Sequence, residues 1–422
     1  MKRWVAVSIF LLLLLAGLGI RPAAAQEQPI RVLSEPFENN FPVELFFKIE
    51  VESTAADISR IKLYYHLRGS TSQTQVPLEF TPARRVPASY RWHTEFQTVP
   101  PGAPILYHWE IKDKAGNTLT TEEKTYYYDD VRFDWKTLAD EELVVFWYEG
   151  GDEFGQEVYD MASLSLRQLE ERLGVQLDFS IRIVAYGSQE DFVSAFPRMN
   201  DWVGGRAFTA MGLTVQTMPP WDHEWVADVI PHEISHLLFY QVTDNPYVAP
   251  PAWLNEGLAS YNELKENSYY DELVAQAAAD GTLLPMAFIV GGFPADHERA
   301  ILAYAQSYSL VKTLIDGYGW EKMGAYLHAF KTAKLSFDEA AAFQGIYGLS
   351  FEEFLAQWRI SVGAAAGPTQ IPSAVPTRTP QGTSQPGPTP TPPPGRATWP
   401  CASAALFLPP VVILWRRRRV GD

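Results

Sequence analysis

Apolar positions along the chain follow two periods, and the change falls near residue 130. Before it, apolar and polar residues alternate. Residues 43–51, 58–67, 90–96, 105–112 and 120–128 are rich in β-branched and aromatic side chains at every second position. That alternation predicts strands with one buried face. Turn signals separate them at Arg68-Gly69-Ser70, Pro100-Pro101-Gly102 and Ala115-Gly116-Asn117. About seven short strands in roughly a hundred residues predict two packed sheets. With Cys401 the single cysteine, no disulfide staples them, so the apolar core must suffice.

Beyond a junction at residues 129–135 the pattern changes. Residues 143–148, 181–186 and 206–215 read as strands, and residues 154–173, ended by Gly174, as an amphipathic helix. A short helix follows Asp191. After residue 256 the spacing is helical throughout, over 271–279, 298–316, 320–330, 337–343 and 351–360, punctuated by Gly281, Gly291, Gly317, Gly319 and Gly348. Residues 363–396 are dominated by proline, threonine, serine and glycine with no apolar face, which predicts an extended, unstructured stalk.

The two ends read differently from the interior. Lys2 and Arg3 precede an apolar run over residues 4–20, and Ala23-Ala24-Ala25 gives a cleavage site before Gln26, which predicts a secretory signal over 1–25. An uncleaved anchor is the alternative. Residues 397–415 are mostly apolar and are followed by Arg416 to Arg419. That predicts a membrane span with a basic cytoplasmic tail at 416–422, or a sorting signal of similar layout. Pro409 and Pro410 would kink such a span. The formal net charge is −16. Seven of the basic residues sit in the two terminal segments, so the rest is more acidic still, which excludes nucleic acid and anionic lipid surfaces as partners.

The chemistry is concentrated in His232-Glu233-Ile234-Ser235-His236. Residues four apart on a helix share a face, so His232 and His236 can point two imidazoles at one cation. Pro231 is harmless only in a first turn, which predicts a helix starting just after Asp228 as N-cap. Two histidines leave one protein ligand missing in a catalytic Zn²⁺ site. Glu256, within Trp253-Leu254-Asn255-Glu256-Gly257-Leu258-Ala259, is the candidate, on a second helix started by Pro250 and Pro251. Gly257, lacking a Cβ, would let this helix approach the helix of the two histidines closely. Glu233 is the candidate base for a water activated by the metal.

These two segments together resemble the signature of gluzincin metallopeptidases, seen in aminopeptidase N relatives and in bacterial peptidase MA-like proteins. The resemblance covers roughly residues 129–360. It implies zinc on His232, His236 and Glu256, Glu233 as general base, and an α+β thermolysin-like domain with a helical C-terminal subdomain closing the cleft. It also implies an edge strand, near Gly204-Gly205, that pairs with extended substrate. Two departures separate this chain from the aminopeptidases. The interval between His236 and Glu256, residues 237–255, is one residue longer than theirs. Their G-A-M-E-N segment is absent, with Gly204-Gly205-Arg206-Ala207-Phe208 in its place. By the same comparison Tyr304 is the candidate oxyanion donor and Tyr308 the understudy, although Ser307 stands where the relatives carry glycine. Tyr304, Tyr308, Val311 and Ile315 also fall at the spacing of a plain core stripe. Residues 107–113 (beginning Tyr107-His108-Trp109) resemble a late strand of an immunoglobulin- or fibronectin-like module.

The expected organisation is a signal at 1–25, a β-sandwich at 26–130, a peptidase domain at 131–362, a stalk at 363–396, an anchoring segment at 397–415 and a tail at 416–422. The expected function is zinc-dependent hydrolysis of peptide or protein substrates outside the cell. Two alternatives stay open: a surface binding protein with a structural metal site, and a zinc aminopeptidase.

Overall fold

The computed structural model describes residues 28–94, 99–196, 204–263, 268–294 and 296–364. The segments read as signal, anchor and tail, and the stalk beyond Ala364, lie outside the described residues.

The first nine strands are β1 (Ile30–Ser34), β2 (Phe37–Asn40), β3 (Glu44–Ser53), β4 (Ile58–Leu67), β5 (Thr74–Pro77), β6 (Arg85–His93), β7 (Ala103–Asp113), β8 (Thr118–Thr120) and β9 (Lys124–Tyr128). They form two antiparallel sheets. In one, β3 is central, with β6 on one side and β1 and β2 on the other. In the other the order is β5-β4-β7-β8, and β9 also pairs with β7. The alternation puts Leu45, Phe47, Ile49 and Val51 of β3, and Ile105, Tyr107, Trp109 and Ile111 of β7, inside. Aromatic contacts cross between the sheets, with Phe47 against Tyr65 at 5.3 Å and Phe37 against Tyr126 at 4.0 Å.

A third sheet holds β10 (Lys136–Ala139), β11 (Leu143–Trp147), β12 (Ile181–Tyr186), β13 (Gly205–Phe208) and β14 (Leu213–Thr217) in the order β10-β11-β12-β14-β13. The inner three strands are parallel, and both edges are antiparallel. All six residues of β12 are buried because both of its faces are covered. Ile181, Ile183 and Ala185 face the helices. Val184 and Tyr186 join the core of the N-terminal sandwich instead. A buried junction fixes this contact: Asp130 accepts from the Tyr186 hydroxyl at 2.7 Å and from Arg132 Nε and Nη2 at 2.8 and 2.6 Å.

The single strand expected over 206–215 is instead a hairpin. Gly212 adopts φ 64°, after a 3₁₀ turn at Thr209–Met211, and turns β13 back along β14. The strand-like character of residues 205–217 on both sides of Gly212 hid the turn.

The helices are α1 (Gly151–Leu173), α2 (Gln189–Ser194), α3 (His223–Thr243), α4 (Ala252–Asn262), α5 (Ser268–Ala279), α6 (Ala287–Val290), α7 (His297–Lys331), α8 (Glu339–Tyr347) and α9 (Phe351–Ser361). The break in α7 falls at Gly319, whose φ 84° and ψ 164° are not helical. The chain is thus β-rich in its N-terminal part and α-rich after it. α1 and α3 cover the third sheet with Val158, Leu166, Ile230 and Ile234. A second helical core gathers Trp253, Leu258, Leu314, Tyr326, Phe343 and Trp358. Among the described residues no helix is long and apolar enough to cross a membrane.

Candidate metal centre

α3 carries the histidines. It starts earlier than Pro231 suggests: Asp222, not Asp228, is the N-cap, its carboxylate accepting from Trp225 N at 3.1 Å. Pro231 therefore lies inside the helix. An internal proline costs about 3 kcal/mol. The helix tolerates it because every residue from Val229 to Phe239 is buried, and packing outweighs local propensity.

Burial around the motif is close to complete. His232, Glu233, His236 and Glu256 are 4, 0, 1 and 5 % exposed. Charged and polar groups at that depth need partners. The distal imidazole atoms, His232 Nε2 and His236 Nε2, have none in the protein, nor has Glu256 Oε2 or either oxygen of Glu233. Glu256 Oε2 lies 3.6 Å from His232 Nε2 and 3.5 Å from His236 Nε2, too far for good hydrogen bonds. Those separations are close to the ~3.3 Å edge of a tetrahedron with metal bonds of ~2.0–2.1 Å. One ligand atom from each of His232, His236 and Glu256 falls within 4.8 Å of the others. The three residues can hold a metal ion, and the orphaned atoms converge where it would sit.

The opposite edges of both imidazoles are held. His232 Nδ1 pairs with Glu263 Oε1 at 2.9 Å, and His236 Nδ1 with Asn255 Oδ1 at 2.9 Å. Each contact fixes the ring plane and leaves Nε2 to face the cation. Sequence reasoning assigned no role to either partner. Asn255 lies inside the quoted motif, next to Glu256. Glu263 follows Glu256 by seven residues, two helical turns on the same face. α4 ends at Asn262, whose side chain donates to Ser235 Oγ at 3.1 Å and accepts from Arg172 Nη1 at 3.1 Å. That lock places Glu263 against α3.

Burial by itself would depress the His232 imidazole. The carboxylates of Glu256, Glu263 and Glu233 outweigh it and raise the pKa to about 10. The ring thus sits among three carboxylates, a setting that favours positive charge.

Tyr304, on α7, stands beside the centre, its ring 6.4 Å from that of His232 and packed edge-on against Phe293 at 4.7 Å. Tyr308 lies one turn on and packs against Tyr261 and Tyr270. Burial, with Asp271 adding to it, raises its phenol to about 12. Arg206, on the edge strand β13, is near enough to Glu233 to feel its charge, although burial dominates and holds the guanidinium below its usual range.

No curated protein sequence matches the chain. Residues 161–364 match the family model of the Peptidase MA superfamily, and the part of the chain that builds this centre is thereby similar to a metallopeptidase family.

Proposed function

We propose that the protein is a zinc-dependent peptidase acting on peptides or proteins outside the cell, tethered to the membrane through residues 397–415. On this reading residues 26–130 form an immunoglobulin-like module, and residues 131–362 a thermolysin-like gluzincin domain with a helical C-terminal subdomain. One observation carries the reading. A buried carboxylate, Glu233, has no protein partner at either oxygen, next to three side chains whose orphaned ligand atoms converge. A structural metal site needs ligands and no such base, which disfavours a binding protein.

Zinc held by His232, His236 and Glu256 would polarise the scissile carbonyl and acidify the attacking water. Glu233 takes the proton of that water and delivers it to the leaving amine. Glu263 and Asn255 keep the imidazoles oriented. The Tyr304 hydroxyl donates to the oxygen on which charge develops. Substrate lies extended along β13, the sheet edge next to α3.

The test is Glu233→Gln in the full-length protein. Metal content by elemental analysis stays at the wild-type level, because no ligand is lost, while cleavage of casein disappears. Cleavage at the wild-type rate would refute the mechanism, and a protein free of zinc after metal-replete purification would refute the cofactor. Cleavage restricted to substrates with a free amino terminus would identify an aminopeptidase instead.

A further inference from the structure

The three candidate ligands come from two helices, α3 and α4, so their spacing depends on how those helices are held together. Asn255 and Asn262 lie seven residues apart on α4, two turns along one face. Both reach α3. Asn255 meets His236 Nδ1 at 2.9 Å. Asn262 Nδ2 donates to Ser235 Oγ at 3.1 Å, one residue before His236 and three after His232. Of these two contacts, the second touches no metal ligand.

Asn262 and Ser235 are 6 and 1 % exposed, and an amide at that depth needs partners. That of Asn262 has them on every side. Its Nδ2 also donates to Leu258 O at 2.9 Å, and its Oδ1 accepts from Arg172 Nη1 at 3.1 Å. A guanidinium can only donate, so Arg172 holds the amide oxygen on its own side and turns the NH₂ group toward Ser235. Arg172 lies in the last turn of α1 and stacks over the Trp320 ring at 5.3 Å. Trp320 and Leu173 pack against both helical cores. The Asn262 contacts therefore sit at the seam between those cores.

Asn262 is also where α4 ends. Glu263 leaves the helix with φ −53° and ψ 140° and reaches His232 Nδ1 at 2.9 Å. Where this carboxylate arrives depends on where the helix end is held. Glu256 lies six residues back on the same helix. Its Oε2 stays 3.6 and 3.5 Å from the two Nε2 atoms only while α4 does not pivot about Asn255.

We propose that Asn262 is a positioning residue of the metal centre. By tying the end of α4 to Ser235 it fixes both the approach of Glu256 to the imidazoles and the reach of Glu263 to His232. The inference rests on the metal-site reading above.

Asn262→Ala in the full-length protein tests it. Ser235→Ala removes the same hydrogen bond from the other side by a smaller change. Three quantities are compared with the parent: the zinc dissociation constant from chelator competition, the visible absorption of Co²⁺ in the metal-exchanged protein, and the melting midpoint of the metal-free protein. Asn262→Ala weakens zinc binding by about tenfold or more, and Ser235→Ala weakens it to a lesser degree. Both change the intensity of the Co²⁺ bands, which follows the arrangement of the ligands. A contact that only holds the fold would lower the metal-free midpoint and leave zinc affinity and the Co²⁺ spectrum at parental values. That result overturns the proposal, and in Ser235→Ala it does so even if Asn262→Ala fails to fold. A parent that binds neither zinc nor cobalt refutes the metal-site reading and this inference with it. A metal-binding parent with unaltered variants refutes this inference alone.

Discussion

A Cβ added to Gly257 would stand 2.3 Å from the carbonyl oxygen of Ser307. α4 and α7 therefore meet backbone to backbone, and the contact joins the helix of Glu256 to the helix of Tyr304. The close approach at Gly257 is to α7 and not, as the sequence suggested, to the helix of the two histidines.

Gly257→Ala separates the two possible roles of that contact. The new methyl meets backbone, which cannot swing aside, so α7 must shift. Overpacking of this kind costs about 1–3 kcal/mol. We expect a lower denaturation midpoint and a turnover loss larger than the loss of zinc affinity, because α7 carries no metal ligand. Equal midpoints for variant and parent would show that the interface is more compliant than its geometry implies.

Glu263 and Asn255 hold the imidazoles from behind. Loss of such a partner typically weakens metal affinity by about 10–100-fold. Asn255→Ala and Glu263→Gln should each do so in a competition titration with a chelator. Glu263→Gln keeps a hydrogen-bonding group and should be the milder of the two. Wild-type affinity in both variants would mean that packing alone orients the rings.

Much of this was legible in the sequence where one physical cause dominates. Period-2 alternation marked β3 and β7 because each has one dry face. The histidine pair was legible because helical geometry leaves one reading of a four-residue spacing. The signals failed where tertiary packing decides. Pro231 argued for a helix start that the buried face of α3 overrides. The β13–β14 hairpin was hidden because the single glycine between two strand-like stretches reads as strand interior, and only the φ of Gly212 reveals the turn. Glu263 carried no signal in the sequence, since nothing local distinguishes a carboxylate just past a helix end that reaches across to another helix.

Glu339 gives a pH dependence remote from the metal centre. Glu339 as a residue is exposed, but its Oε1 is packed against Tyr326, and this local loss of water raises its carboxyl above the usual range, while the Tyr326 hydroxyl, donating to Oε1 at 2.9 Å, offsets part of that. A folded pKa above the unfolded one means that the folded state holds the proton more tightly. Its stabilising effect is complete below the unfolded pKa of ~4.3 and is lost as pH rises through the folded value. Glu339→Gln keeps an acceptor for Tyr326 and removes the charge. The opposing effect, a carboxylate lost from the first turn of α8, is worth only about 0.3–1 kcal/mol. We expect the variant to gain stability over the parent at pH 8 relative to pH 4. Denaturant titrations at the two values decide it, and a gain confined to pH 4 would reverse the assignment.

Tyr304 and Tyr308 occupy successive turns of α7 but face different surroundings. Tyr304 lies beside His232, whereas Tyr308 packs with Tyr261 and Tyr270. Hydrolysis of a peptide bond places negative charge on one oxygen, and a phenol held ready for it stabilises the transition state more than the ground-state carbonyl. Removal of one such donor typically costs ~10²–10³ in turnover. Tyr304→Phe keeps the ring, and with it the contacts to His232 and Phe293, and deletes only the hydroxyl. The expected outcome is a fall in kcat of that order, with KM, zinc content and melting midpoint close to the parent. Tyr308→Phe should lose less than about threefold, because its hydroxyl faces a packed cluster rather than the reacting atoms. Steady-state kinetics on both variants give the answer. Equal, small losses would make the two tyrosines a core stripe, and a loss confined to Tyr308→Phe would transfer the role to that residue.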